Sequence, residues 1–184
     1  MKEYSNLSFL AFILIFLVNF SLNAQNIFDF SNNLTLKNWN IVNDDVMGGV
    51  SSSSLTINNS GHGVFSGKIS LDNNGGFASV RYNLNKINVT KDKTINILLK
   101  GDKKIYQLRI KENHYDYHSY VHNFTTSGKW EVISINFSDM YPSYRGRKLN
   151  AHNFSGNEIK QLSILISNSV EEKFSLLIDK FYVQ

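Results

Sequence analysis

Asn43-Asp44-Asp45-Val46-Met47-Gly48-Gly49-Val50-Ser51 is the stretch on which the reading of this chain turns. Trp39-Asn40-Ile41-Val42 leads into it as a short apolar segment, and Val50 to Ile57 leads out of it as a second. Two acids, an apolar pair and a double glycine are unusual content for a simple hairpin turn. Gly48-Gly49 allows positive φ or a close backbone approach, which a Cβ resists. Asp44 and Asp45 can cap nearby N–H groups through Asx-type bonds. One reading is a rigid, self-capped connection between two strands. The other is a ligand-facing or cation-facing loop, with two carboxylates beside bare backbone.

Outward from this stretch the chain alternates with period two. Phe65, Gly67, Ile69 and Leu71 share one face, as do Ala78, Val80 and Tyr82. Tyr106, Leu108 and Ile110 form another set, then Ile133, Ile135 and Phe137, then Leu162, Ile164 and Ile166, then Phe174, Leu176 and Ile178. Such alternation predicts half-buried antiparallel strands. Thr94 to Leu99 is more continuously apolar and reads as a central strand buried on both faces. Asn58-Asn59-Ser60-Gly61, Asp72-Asn73-Asn74-Gly75-Gly76, Gly101-Asp102 and Ser127-Gly128 are the turns between them. Ser138 to Tyr141 predicts one helical turn, capped by Ser138 and closed by Pro142. The fold class is all-β, a β-sandwich or jelly roll of about ten short strands.

The N-terminus reads differently. Lys2 precedes the apolar run Leu7 to Val18, and Ser21-Leu22-Asn23-Ala24-Gln25 follows it. A cationic start, an apolar centre and a small residue before a polar one describe a signal peptide over residues 1–24. An uncleaved anchor is the alternative, since the run approaches the length that spans a bilayer. With cleavage after Ala24 no stable membrane span is expected, and the mature protein is periplasmic or extracellular. Residues 25–184 are then one domain with a core of ordinary size. The 184-residue chain has no cysteine, so neither disulfides nor lipoprotein acylation nor a thiol nucleophile is available. The formal charge of +4 is spread along the sequence and is no nucleic-acid footprint.

Several residue sets carry candidate chemistry. His114, His118 and His122 recur every four residues, but on a strand such neighbours stand roughly 13 Å apart, too far for one zinc ion. Asp44, Asp45 and Asp72 supply oxygen ligands of the kind calcium takes, without EF-hand spacing. Arg81, Arg109, Arg145 and Arg147, with Tyr117, Tyr141, Tyr144 and Trp130, are material for a recognition surface. Set against that, Arg81 and Arg109 could satisfy buried carbonyls, and Trp130 is assigned to the core. Asp44, Asp45, Asp116 and Glu131 are the carboxylates a glycosidase could use, but nothing selects a pair. No serine elbow, phosphate loop, metalloprotease motif or dinucleotide fingerprint is present. No catalytic role and no cofactor is implied.

Trp39 through Ser51 resembles the opening motif of the complex I intermediate-associated protein 30 (CIA30) family, whose members share a galactose-binding-like β-sandwich. Gly63 to Leu71 and Asn74 to Arg81 resemble its second block, and Tyr106-Gln107-Leu108-Arg109 its central strand. Tyr120, Phe124-Thr125-Thr126, Trp130, Phe137-Ser138-Asp139, Pro142 and Arg145-Gly146-Arg147 resemble its third. Asn136 stands where that family usually has proline, and Met140 where it usually has an aromatic. The resemblance implies a non-catalytic binding module, similar to assembly or chaperone-like factors for NADH:ubiquinone oxidoreductase. An exported protein does not meet that enzyme's matrix-side or cytoplasmic arm, so what transfers is a sandwich that docks a partner. Protein is the first expected partner and carbohydrate the second; a secreted hydrolase ranks third. Asp44, Asp45, Arg81, Tyr117, Tyr144, Arg145 and Arg147 are the candidate binding residues. Exposed rings at Tyr115, Tyr117, Tyr120 and Tyr144 would favour carbohydrate.

Overall fold

The computed structural model describes residues 24–33 and 35–184; apart from Ala24, the expected leader lies outside the described residues. Strands follow in chain order as β1 (Gln25–Asp29), β2 (Trp39–Asn43), β3 (Ser52–Ile57), β4 (Gly63–Ile69), β5 (Ala78–Asn88) and β6 (Thr94–Lys100). Next come β7 (Ile105–Lys111), β8 (Ser119–Thr125), β9 (Trp130–Asn136) and β10 (Tyr141–Tyr144). The last are β11 (Arg147–Lys148), β12 (Glu158–Ile166) and β13 (Glu172–Val183). No α-helix occurs among the described residues, only short 3-10 turns. None of their helices is long and apolar enough to cross a membrane.

Two antiparallel sheets form. The first has the order β3-β4-β13-β6-β9, with β1 continuing beside β13 where β4 leaves off. The second runs β11-β10-β8-β7-β12-β5-β2. The alternating residues meet between them: Val80, Leu108 and Ile164 from the second sheet, and Phe65, Ile97 and Leu176 from the first, are completely buried. Each such side chain contributes roughly 1.5–3 kcal/mol by leaving water. Phe28, Phe30, Trp39 and Tyr82 form an aromatic cluster in the same core, with ring centroids 4.8–5.3 Å apart.

Three local expectations are corrected. Trp130 is not core: it is 42% exposed, and its ring packs on His62, 4.6 Å between centroids. The turn before β10 spans Phe137–Asp139, with Asn136 and not Ser138 in the capping position and no side-chain cap. His114 sits in the exposed β7–β8 loop while His122 lies on β8, so the histidines do not form one strand face. β6 is interior to its sheet as its composition suggested, burying Ile95, Ile97 and Leu99 inward and Asn96 on the opposite face.

Candidate functional site

Asp44 and Asp45 open the 3-10 turn after β2, and they part company there. Asp44 is 1% exposed, and its carboxylate accepts from Ser51 N (2.9 Å), Ser51 Oγ (2.5 Å), Gly76 N (2.6 Å) and Phe77 N (3.3 Å). One glycine of each pair is explained by the same carboxylate. Gly48 takes φ +91°, and a Cβ at either Gly49 or Gly75 would collide with the Asp44 side chain. Burial opposes ionisation of Asp44, but the hydrogen bonds from Ser51, Gly76 and Phe77 outweigh it and hold its pKa below the ordinary value. The carboxylate is therefore a clamp that ties the β2–β3 turn to the chain entering β5.

Asp45 is exposed and makes no side-chain hydrogen bond among the described residues, while Asp72 accepts from Ser70 Oγ at 3.1 Å. The lone pairs of Asp44 face N–H and O–H donors, not a cation position shared with Asp45 and Asp72. Among the described residues no three His, Asp or Glu side chains stand together as metal ligands.

Across the outer face of the second sheet lies a cleft of about 540 Å³. Its origin is residue size. Ser79, Ser119, Ser143, Ser163 and Ser167 all line it, and short side chains leave the sheet face hollow. The turn after β2 stands at one edge and contributes Val46 and Met47, 68% and 64% exposed. Tyr117, Tyr144 and Arg145 stand towards the other edge. The Tyr117 and Tyr144 rings meet edge-on at 5.5 Å, and the Arg145 guanidinium lies 5.4 Å from the Tyr144 ring centroid. Arg145 and Gly146 both have positive φ (48° and 76°), the signature of a two-residue hairpin with primed geometry.

The cleft floor is cationic. Strand register sets Asn40, Arg81, Ser163, Arg109, Val121 and Tyr141 in one row across six strands. Lys111 follows two residues after Arg109 on the same face. Nε and Nη2 of Arg109 donate to Gln107 Oε1 at 3.0 and 2.6 Å, and Lys111 Nζ donates to the Asp116 carbonyl at 2.6 Å. Among the described residues none of the three cations has a carboxylate salt-bridge partner. Burial and then the neighbouring Arg81 push Arg109 down to about 10. Burial and Arg81 lower Lys111 as well, against a smaller opposing pull from the Asp116 carboxylate outside the lining. Among the described residues the only acid in the lining, Asp44, already accepts from Ser51, Gly76 and Phe77.

Of the candidate residues, then, Arg81, Tyr117, Tyr144 and Arg145 come together at the cleft. Asp44 lies beneath its rim as a clamp, and Asp45 and Arg147 are not among its lining residues. Arg109 satisfies a glutamine side chain, not a buried carbonyl. Lys111, Ser163 and Gln161 also line the cleft and escaped notice. The signal for Lys111 was available, since it shares strand parity with Arg109. The carboxylates considered for hydrolysis do not converge: Asp116 accepts from Asn113 N in the β7–β8 loop, and Glu131, at the start of β9, from Ser127 N and Oγ.

The family model for "Complex I intermediate-associated protein 30 (CIA30)" matches residues 28–178. The chain belongs to the CIA30 family. The match runs from β1 into β13 and so takes in both sheets, the clamp and the cleft of this CIA30 domain. No curated protein matches the sequence. Among solved structures, the family 11 carbohydrate-binding module of the cellulosomal cellulase Lic26A-Cel5E of Clostridium thermocellum is similar at TM-score 0.64 and 18% identity, covering 89% of this chain and 95% of that one. A structure of the Clostridium thermocellum family 11 module with a β-1,3-1,4-mixed-linked tetrasaccharide matches at TM-score 0.61 and 19% identity, over 87% and 94% of the two chains. The agarase AgWH50C is similar over 88% of this chain but 24% of its own, at TM-score 0.56 and 16% identity. At these identities the likeness is one of fold: this CIA30 domain is a galactose-binding-like sandwich of the kind carbohydrate-binding modules adopt.

Proposed function

We propose that the CIA30 domain is a non-catalytic binding module whose ligand is a glycan, held in the cleft on the second sheet. The observation that carries this reading is the pair of tyrosines beside that cleft. Tyr117 is 68% and Tyr144 40% exposed, and both line a hollow whose floor carries hydroxyl and amide side chains beside its three cations. Exposed rings give a sugar ring an apolar surface to lie on, and small polar groups on the floor fix its hydroxyls. Tyr115, 94% exposed, lies outside the lining, and Tyr120 packs against Phe154 at 5.1 Å. The fold shared with a module seen holding a mixed-linked tetrasaccharide supports the choice. The same reading takes the protein to the cell exterior or periplasm, on the leader pattern of residues 1–24.

A glycan array on the purified protein, followed by affinity electrophoresis with Tyr117→Ala and Tyr144→Ala, tests the reading. Retained melting temperature with at least tenfold weaker glycan binding is expected; a blank array on folded protein would sink it. Docking of a protein partner is the second reading, favoured by one observation. Val46 and Met47, inside the family's opening motif, present apolar side chains to solvent at the cleft edge. Crosslinking in the exporting cell, with Met47→Glu as the control, addresses that alternative.

A further inference from the structure

Arg81 and Arg109 are not ordinary surface cations. Each is set in the cleft floor, and Ser163 stands between them in register, on the strand that separates theirs. Directly opposed residues on neighbouring strands lie only about 4.5–5.5 Å apart, so the two arginines are held two strands from one another with Lys111 close by. Like charges crowded in this way repel, and partial burial strengthens the repulsion. Proteins ordinarily relieve it with a carboxylate. Here the floor offers hydroxyls and amides, and the lone acid in the lining is sealed in its own hydrogen bonds. A neutral sugar needs none of this positive charge.

We propose that the ligand carries an oxyanion, a carboxylate or a sulfate ester on a sugar ring, and that this group sits over Ser163 between Arg81 and Arg109. The inference rests on the glycan reading of the cleft and narrows it to acidic glycans. Arginine suits this role because its planar N–H fork pairs with either oxyanion through two parallel bonds. Gln107 takes two of the Arg109 donors and leaves the others available. Burial and the neighbouring Arg81 lower the pKa of Arg109, in keeping with two like charges that no carboxylate of the described residues pairs with.

The test is titration calorimetry of the purified protein with four probes: tetragalacturonate, a sulfated carrageenan tetrasaccharide, a neutral mixed-linked glucan tetrasaccharide and a polyglutamate peptide. One acidic oligosaccharide is expected to bind more tightly than the neutral one, and which of the two does so identifies carboxylate or sulfate. That binding should weaken with rising salt, and Arg81→Gln or Arg109→Gln should each weaken it about ten- to hundredfold. Ser163→Asp supplies an internal counter-ion in the same place; it should abolish binding of the acidic probe without lowering the melting temperature. Equal binding of the neutral probe, unmoved by the arginine changes, overturns the acidic assignment and leaves the glycan reading standing. Tighter binding of polyglutamate than of either acidic sugar overturns it in favour of an acidic protein segment. Failure of all four probes on folded protein removes the glycan reading together with its refinement.

Discussion

Asp44 and Asp45 are adjacent, identical in type and opposite in fate. Asp44→Ala leaves the N–H groups of Ser51, Gly76 and Phe77 without their acceptor. Unmade buried hydrogen bonds cost about 1–3 kcal/mol each, so a loss of about 3–5 kcal/mol is expected in urea unfolding. Asp45→Ala should stay within about 0.5 kcal/mol, as exposed substitutions do. Because the folded state lowers the pKa of Asp44, its contribution is fully present above the unfolded value near 3.8 and is lost as pH falls through the folded value. Stability measured from pH 7 down to pH 2 should therefore drop below about pH 4, and an Asp44→Asn variant, already destabilised, should show a shallower drop. The sequence alone could not separate the two aspartates, since the donors for Asp44 arrive from residues 76 and 77. Strand parity, by contrast, was there to be used: Trp130 alternates with Val132 and Ser134, opposite to the inward Ile133 and Ile135, and so had to face out.

At the level of elements, alternation located the long strands well, because each has one face on a common core. The β5, β7, β9, β12 and β13 segments all carry the expected inward sets. Pairing order was not legible. β5 finds β12 and β4 finds β13 across most of the domain, and no local pattern encodes that choice. The cleft inherits this difficulty, for the row that joins Arg81 to Arg109 exists only once β12 lies between them. The β10–β11 hairpin is a different case, since its turn sets Arg145 at φ +48°, a region that costs most side chains about 1–2 kcal/mol. Asn tolerates that conformation better. Arg145→Asn should raise stability by up to about 1 kcal/mol in thermal unfolding, and it should weaken ligand binding if the guanidinium beside Tyr144 takes part.

For the molecule as a whole, recognition and stability occupy different faces. The cleft uses the outer side of the second sheet, and the core lies on its inner side, so neighbouring positions on one strand serve separate ends. Leu108→Ala should cost about 2–5 kcal/mol through the cavity it leaves, whereas Arg109→Gln next to it removes one of two crowded like charges and should not lower the melting temperature. Both can be read from one pair of unfolding curves. The pairing of β1 with β13 has a further consequence, because Gln25 and Val183 are register partners. Both ends of the domain leave from one spot, so the unit can be spliced into a loop of another protein as readily as strung along a chain. A short glycine linker across that spot, with the chain reopened at the exposed Lys91–Asp92 turn, should give a permuted protein that melts cooperatively and keeps its cleft.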